Sequence, residues 1–462
     1  PINPFGVGNI SEAARNYLLV PTRADGRATQ FVATGFVSGD LSQLFELPGG
    51  PIAFSVGAEY RRETLAYNMD DLTSRGFNFY NALPDFSAPA FEVKEAFGEI
   101  SIPLVKDVFL LEELTLSGSG RVADYKGGAG TVFAYGGQVT WRPVRDLMLR
   151  GNYSQSVRAP YIGSLYTPQV QNFTPAPNDP CAARNLATGS ATRVANCNAA
   201  GRPADFDYVY QGSLETRSGG NPNLQAETSK SITLGGVFQP RFIPGLSISA
   251  DYYDIQVDDV IANVAAQTIL NLCYDSATLN NPFCSLFQRA GAGGGPKGEQ
   301  PFRILEGSLL ISSTNFAKFK TRGIDVNAAY NRRFDWGNIR ISGVYTHVIQ
   351  NDQFTNPADP NFKNTLTKEL GNPQDRFNIS TDVKIGKLTF GHTLRWIGKQ
   401  YLNTFEDYNP LNGQPAQNTD YADLREYPIV AYHDLRVGYD ITDRFNLQFI
   451  VVNANDEEPP FG

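Results

Sequence analysis

The chain has 462 residues and a formal net charge of −8, and it is rich in Gly (43), Phe (30) and Tyr (22) but has only 3 His and 2 Met. The acidic balance excludes the basic footprint of a nucleic-acid-binding protein, so no nucleic-acid partner is expected. No stretch approaches the roughly 18 apolar residues of a membrane-spanning helix, but a transmembrane β-strand needs only about 9–11 residues, every second one apolar.

The predicted elements begin with one short helix and continue as strands. Ser11 can cap a short helix that has Glu12 in its first turn and continues through residues 13–18. The segments that follow alternate between apolar and polar side chains, a period of two that is typical of a strand with one apolar face. The predicted strands are 30–39, 52–62, 91–104, 114–124, 131–143, 147–158, 228–239, 246–257, 308–316, 320–332, 338–349, 376–385, 388–400, 429–440 and 445–453.

These roughly fifteen strands are joined alternately by short turns and long loops. The long loops are predicted at about 64–90, 159–226, 262–306, 350–373 and 401–427. Short turns at one rim and long loops at the other are typical of an outer-membrane barrel. A soluble β-sandwich would also alternate, but with strands of about 5–6 residues, and no fixed-length repeat favours a propeller or solenoid. The expected fold class is therefore all-β, an antiparallel transmembrane barrel.

The four cysteines fall into two local pairs, Cys181 with Cys197 and Cys273 with Cys284, both in predicted loops. Two close pairs in long loops favour disulfides formed in an oxidising compartment. Free thiols or a metal site are the alternatives. No His or acidic cluster with zinc-like spacing accompanies either pair, so we expect neither a metal nor another cofactor.

Other chemistry in the sequence has a simpler interpretation. Residues 118–123 fit a dinucleotide-binding glycine pattern but lack the following helix. The histidines His347, His392 and His433 lie on separate predicted strands without the partners of a catalytic triad, and the aspartates in 251–259 lack the spacing of a calcium loop. We therefore expect no catalytic residue, and a protein that is not an enzyme.

Five stretches resemble motifs of one family. They are 152–160 (NYSQSVRAP) with 165–168 (LYTP), 221–227 (NPNLQAE), 250–261 (ADYYDIQVDDVI), 321–325 (TRGID) and 452–460 (VNANDEEPP). In this order they resemble the barrel portion of TonB-dependent outer-membrane receptors over nearly the whole chain. Ala226 stands where that family commonly has Pro.

The resemblance implies a bacterial outer-membrane barrel of about 22 strands filled by an N-terminal plug. This chain would supply about fifteen of the strands, as the C-terminal part of such a receptor. The plug, the first strands and the last strand would be missing from it. Its first residues carry no signal peptide, which we expect of a mature or truncated exported protein. A monomer surrounded by outer-membrane lipid and lipopolysaccharide is expected.

The implied function is active import. The resemblance implies that a scarce nutrient (a ferric siderophore, haem, cobalamin or an oligosaccharide) binds at the extracellular loops, and that the inner-membrane TonB complex energises its passage through the plug. A structural or adhesive barrel without transport is the alternative. An outer-membrane enzyme would need a Ser, His and acid constellation that the sequence does not present.

Two groups of residues are candidates for the site. The first group is the candidate ligand-facing residues near the outer mouth, since aromatic and polar side chains together suit sugars or aromatic chelators. They are Arg158, Phe206, Tyr208, Tyr210 and Arg217.

A second group is defined by strand alternation, which places charged side chains on the lumenal face. These charges solvate the lumen or pair with a plug, and direct contact with substrate is the alternative. The lumen-facing residues are Glu59, Arg61, Glu95 and Glu99.

Overall fold

The protein is built almost entirely of β-strands, in a computed structural model that describes residues 5–78, 81–356, 361–401 and 426–458. The strands are β1 (Ala24–Asp40), β2 (Ala53–Met69), β3 (Phe86–Ser87), β4 (Phe91–Val108), β5 (Leu111–Tyr125), β6 (Gly130–Val144), β7 (Leu147–Arg158), β8 (Val170–Thr174), β9 (Leu214–Gly219), β10 (Glu227–Phe238), β11 (Leu246–Asn263), β12 (Leu309–Phe334), β13 (Gly337–Phe354), β14 (Asn364–Thr365), β15 (Asp375–Ile385), β16 (Leu388–Ile397), β17 (Gln400–Tyr401), β18 (Glu426–Tyr427), β19 (Val430–Asp440) and β20 (Asn446–Val451).

The helices are short and lie outside the sheet. They are α1 (Glu12–Leu18), α2 (Asp71–Ser74), α3 (Ile162–Tyr166), α4 (Arg193–Ala199) and α5 (Ala266–Asp275), with 3-10 turns at Ala183–Thr188 and Cys284–Leu286. Ser11 caps α1 as predicted, because its Oγ accepts a hydrogen bond from the Ala14 amide at 3.2 Å. Within the described residues, no helix has the length and apolar character needed to cross a membrane.

Within the described residues, eighteen strands form one sheet. Four short strands (β3, β8, β9 and β14) belong to the long connections, and the other fourteen pair antiparallel with their neighbours in chain order to make the wall. Among the described strands, β1 pairs only with β2 and β20 only with β19. The fold class expected from the sequence is confirmed: an antiparallel β-barrel wall of the receptor type.

The strand prediction is accurate where the alternation is regular. Strand β7 has the predicted bounds. The separate strands predicted at 308–316 and 320–332 are wrong, because β12 is a single strand of 26 residues. Its first residues pair in parallel with β9, and its later residues pair with β11 and β13. These hydrogen bonds to distant segments keep the strand continuous through a stretch where apolar and polar residues do not alternate.

Tight turns collect at one rim of the wall and long loops at the other. Strands β15 and β16, for example, are joined by Gly386 and Lys387, and Gly386 takes a left-handed φ of 55° that suits a residue without Cβ. The long connections 159–226 and 262–306 leave the opposite rim. The predicted loop at 401–427 lies almost wholly outside the described residues.

The two faces of the wall differ in polarity. On β6, the side chains of Phe133, Tyr135 and Trp141 are 59%, 47% and 38% exposed on the outward face. The inward face is concave, and small polar residues such as Ser119 and Ser154 line a cavity of about 740 Å³ there. Exposed aromatic and aliphatic side chains on one face and hydroxyl groups on the other are typical of a strand between lipid and a polar lumen.

The face assignment predicts opposite outcomes for neighbouring substitutions on β10. Leu234 is 56% exposed on the outward face, and Thr233 points the other way. We expect Leu234→Arg to cost about 2–4 kcal/mol in a bilayer, because it places a charge in hydrocarbon, whereas Thr233→Arg costs much less. Urea unfolding in phospholipid vesicles measures both. Equal destabilisation by the two variants would contradict the orientation of the wall.

Candidate functional site

The two longest loops fold together into one body at the outer rim. Residues 159–226 and 262–306, here called the loop cap, share a single hydrophobic core in which Leu214 of the first loop and Ile269 and Leu270 of the second are fully buried. A second, smaller core joins the cap to the wall through Leu165 and Leu224. The two long loops at the outer rim therefore form one packed structure and not two independent loops.

Both disulfides lie in this cap. Cys181 is bonded to Cys197 and Cys273 to Cys284, so the predicted disulfides are confirmed. Cys181 and Cys197 are fully buried in the shared core. Each bond closes a short stretch of one loop, and the contacts between the loops are non-covalent.

A buried ion pair joins the two loops. The Arg289 guanidinium donates two hydrogen bonds to the Asp179 carboxylate, both at 2.8 Å, and the two side chains are 9% and 0% exposed. The guanidinium also lies 4.4 Å from the ring centroid of Phe302 and 5.1 Å from that of Tyr274. Burial alone lowers the pKa of Arg289, but the Asp179 charge and hydrogen bonds outweigh it and raise the pKa above the usual value.

A second set of polar contacts fastens α4 to the end of α5. Arg193 donates to the Asp275 carboxylate through Nε at 2.7 Å and Nη2 at 2.5 Å. Asn196 Nδ2 donates to the carbonyl oxygens of Tyr274 and Ser276 at 2.9 and 2.8 Å. Since Arg193 and Asn196 are buried, these bonds satisfy groups that would otherwise be costly to bury.

Two of the aromatic residues nominated as ligand-facing lie in the core of the cap instead. Phe206 and Tyr210 are 7% and 5% exposed, and Phe206 packs edge to face on Phe302 with centroids 5.1 Å apart. Burial, followed by the nearby Asp179 charge, raises the pKa of the Tyr210 phenol above its usual value. The sequence misplaced both side chains because their burial depends on a loop about 90 residues away.

Tyr208 lies at the edge of this core. Its ring packs edge to face on Tyr210 at 4.9 Å, and the Arg303 guanidinium lies 4.7 Å from its centroid. Of the three nominated aromatic residues, only Tyr208 is partly exposed. It remains a candidate for ligand contact.

The nominated arginines have partners within the fold. Arg158 donates through Nε and Nη2 to the buried carboxylate of Glu227, both at 2.5 Å, and Glu227 also accepts the Ile261 amide at 2.8 Å. Glu227 thus ties β7, β10 and β11 together where they leave the wall. This contact gives a physical reason for the Arg in the stretch 152–160 and the Glu that ends the stretch 221–227.

Arg217 lies on β9 at the outer surface of the cap. Its Nε donates to the Gly307 carbonyl at 2.6 Å, and the side chain is otherwise exposed. The neighbouring Glu215 accepts from Lys297 at 2.5 Å, and this hydrogen bond is the main reason that the pKa of Glu215 is lowered. Arg217 keeps its place as a candidate for ligand contact.

The charges predicted to face the lumen share one face of the wall. Glu59 lies directly opposite Glu95 in the β2–β4 register, and Glu95 and Glu99 line the inner cavity. Arg61 contacts Glu59 at 3.5 Å and Glu63 at 3.1 Å.

The wall also supplies a cationic partner for Glu95, whose side chain is 6% exposed, through the guanidinium of Arg121. The inner face is therefore partly neutralised by its own arginines. Contact of these charges with substrate remains a prediction.

The three histidines lie on the wall, on β13, β16 and β19. His392 Nε2 and His433 Nδ1 are 3.0 Å apart, and His347 Nδ1 lies 2.7 Å from Asp375 Oδ1. Within residues 5–78, 81–356, 361–401 and 426–458, no group of three or more His, Cys, Asp or Glu side chains could hold a metal ion.

Comparison with known proteins places this wall and cap in a family. The sequence matches the family model described as TonB dependent receptor-like, beta-barrel, over residues 5–454. The chain belongs to this family of bacterial outer-membrane receptor barrels. Its sequence has no match among curated proteins.

Solved structures share the fold at low sequence identity. The ferric enterobactin receptor PfeA of Pseudomonas aeruginosa superposes with a TM-score of 0.58 at 15% identity, covering 93% of this chain and 49% of that one. The siderophore receptor PirA of Acinetobacter baumannii has a TM-score of 0.57 at 15% identity, covering 93% of this chain and 51% of that one. The hemophore receptor HasR of Serratia marcescens has a TM-score of 0.51 at 17% identity, covering 94% of this chain and 56% of that one. The chain thus spans about half of the length of each receptor.

Proposed function

We propose that the protein is an outer-membrane receptor that binds a scarce nutrient at its extracellular loops and imports it with energy from the inner-membrane TonB complex. The observation that carries this proposal is the combination of a polar, concave inner face with a folded loop cap at the outer rim, in a chain of this family. The TonB complex would act through a plug domain inside the wall. The protein binds and moves its ligand and does not transform it chemically.

The proposed substrate is a small molecule or an oligosaccharide. Ferric siderophores, haem, cobalamin and oligosaccharides are the four classes. The first two are tested first, because the names of structurally similar proteins include ferric enterobactin and siderophore receptors and a complex with haem. The proposed ligand contacts on the outer side are Arg158, Tyr208 and Arg217. The inner-face charges Glu59, Arg61, Glu95 and Glu99 would solvate the lumen or pair with the plug, and contact with the ligand is the alternative.

Uptake by whole cells tests the proposal. A strain that lacks its own copy of the gene is supplied with the complete gene, and accumulation of a radiolabelled member of each substrate class is measured with and without a functional TonB complex. We expect accumulation of one class at least tenfold over the deletion strain, lost when the TonB complex is absent.

The other outcomes of the same experiment overturn active import. Binding of a ligand to cells without TonB-dependent accumulation supports a structural or adhesive barrel. If the cells neither bind nor accumulate any of the four classes, the result contradicts the receptor function itself.

A further inference from the structure

The outward face of β12 changes character towards the outer rim. Leu234 pairs with Tyr252, and Tyr252 with Ile324, so Ile324 shares the lipid-facing side of the wall. Because side chains alternate along a strand, the next outward positions of β12 towards the loops are Arg322, Lys320 and Lys318. Three successive outward positions are therefore cationic where the strand leaves the apolar band.

A fourth cation lies in the same rows. Lys230 of β10 is paired with Gln256 of β11, which is paired with Lys320 of β12. Adjacent strands are about 4.8 Å apart, so the backbones at Lys230 and Lys320 are about 10 Å apart, and Lys318 lies about 7 Å further along its strand. Flexible lysine side chains at these spacings can converge on one phosphate group or on two neighbouring ones.

The height of these cations matches the outer membrane surface. Twelve residues separate Phe334, at the tight-turn rim, from Arg322. At about 3.3 Å per residue and a tilt of about 45°, the rise is about 28 Å, close to the height of about 25 Å of the apolar band of an outer-membrane barrel. Arg322 therefore lies at the level of the outer-leaflet headgroups, and Lys318 and Lys320 lie slightly above it.

The lysines have no carboxylate partner in the part of the chain that the structure describes. None of the ammonium groups of Lys230, Lys318 and Lys320 has a carboxylate oxygen within the 4.0 Å of an ion pair. The ammonium groups of Lys318 and Lys320 instead lie 4.4 and 5.8 Å from the ring centroid of Phe354 on β13. Such cation–π contacts hold the two charges together without neutralising them.

Three acidic side chains lie in the same rows, and none of them forms an ion pair with the lysines. Asp254 lies 4.0 Å from Arg322 and partly neutralises it, whereas Asp258 accepts two hydrogen bonds from Gln256 at 2.8 Å. Asp352 is 2% exposed and accepts from Gln350 at 2.6 Å, with Lys363 at 3.8 Å. The surface thus keeps a positive excess at a level where phosphorylated lipid lies.

We propose that Lys230, Lys318, Lys320 and Arg322, here called the cationic patch, bind the phosphate groups of lipopolysaccharide in the outer leaflet. The patch supplies ammonium and guanidinium groups for phosphate oxygens, and the outward aliphatic residues below it face the acyl chains of the same lipid. The inference rests on the outer-membrane placement in the proposed function but not on transport. It assigns a lipid site to one side of the barrel, across β10 to β13.

The test uses the protein expressed from its complete gene and purified in detergent. The double variant K318Q/K320Q is compared with K106Q/K387Q, which removes the same charge at the opposite rim. We expect K318Q/K320Q to lower the affinity for diphosphorylated lipid A by roughly 10–30-fold, since each headgroup lysine contributes about one factor of five. The control double variant should bind like the wild type.

Three outcomes overturn the proposal. The first is that K318Q/K320Q and K106Q/K387Q bind lipid A with equal affinity. The second is that the wild type binds lipid A without its two phosphates as tightly as it binds diphosphorylated lipid A. The third is that millimolar inorganic phosphate competes as strongly as lipid A does. Uptake of the nutrient by the same variants is measured in parallel. If uptake fails in the wild type while lipid A binding follows the lysines, the lipid site stands and active import does not.

Discussion

Replacing all four cysteines by alanine is expected to unfold the loop cap while leaving the wall folded. Cys181–Cys197 and Cys273–Cys284 close segments with sequence separations of 16 and 11 residues. A crosslink across a loop of about 15 residues contributes about 3 kcal/mol by restricting the unfolded chain, so loss of both removes about 5–6 kcal/mol from a body with a small core.

Hydrogen exchange of the purified protein, followed by mass spectrometry, measures this effect. Peptides from 159–226 and 262–306 should lose protection in the variant, whereas peptides from β5 and β6 should exchange as in the wild type. Reduction of the wild-type disulfides in folded protein should reproduce the pattern without any substitution. Unchanged protection of the cap after both treatments would mean that its core is sufficient without the crosslinks.

Asp179→Ala is expected to destabilise the loop cap by about 3–5 kcal/mol, because it leaves the Arg289 guanidinium buried without its carboxylate. The double variant D179A/R289M should recover much of this loss, since methionine fills the aromatic surroundings without a charge. The free energy of opening of the cap, obtained from hydrogen exchange, gives both values.

An exposed pair in the same cap serves as the matched control. Arg184 donates hydrogen bonds to Asp207 at 2.7–3.1 Å and lowers the pKa of that carboxyl group to about 2. Asp207→Ala nevertheless leaves an arginine in contact with water, and we expect the opening of the cap to be nearly unchanged. If Asp207→Ala destabilised the cap as much as Asp179→Ala does, burial of the ion pair would not determine the loss of stability.

The sequence alone predicts the wall well because the wall is governed by a local rule. Successive side chains of a membrane strand face lipid and lumen in turn, so the bounds of β7 could be predicted from the sequence of that strand alone. Strand β12 broke this rule beyond the apolar band, where its bounds depend on pairing with β9. The two strands predicted there reflect the loss of alternation and not a break in the chain of hydrogen bonds.

The site was predicted less well because its residues are placed by distant partners. The sequence could indicate that the cysteines pair within each loop, since the partners are close in the chain. It could not indicate that Phe206 and Tyr210 are buried, because the residues that cover them belong to the other loop. Likewise, the sequence predicts Arg158 to be an unpaired cation at the outer mouth, whereas the structure places Glu227 directly opposite it in the β7–β10 register.

The fusion of two loops into one cap also constrains how this surface can vary. A surface loop that packs alone tolerates insertion, deletion and substitution, because few other residues depend on it. Here a change at Leu214 or Ile269 disturbs the packing of both loops at once, since these side chains share one core. Tolerated substitutions should therefore concentrate at exposed positions such as Tyr161 and Val194, whereas changes in the shared core require compensating changes in both loops.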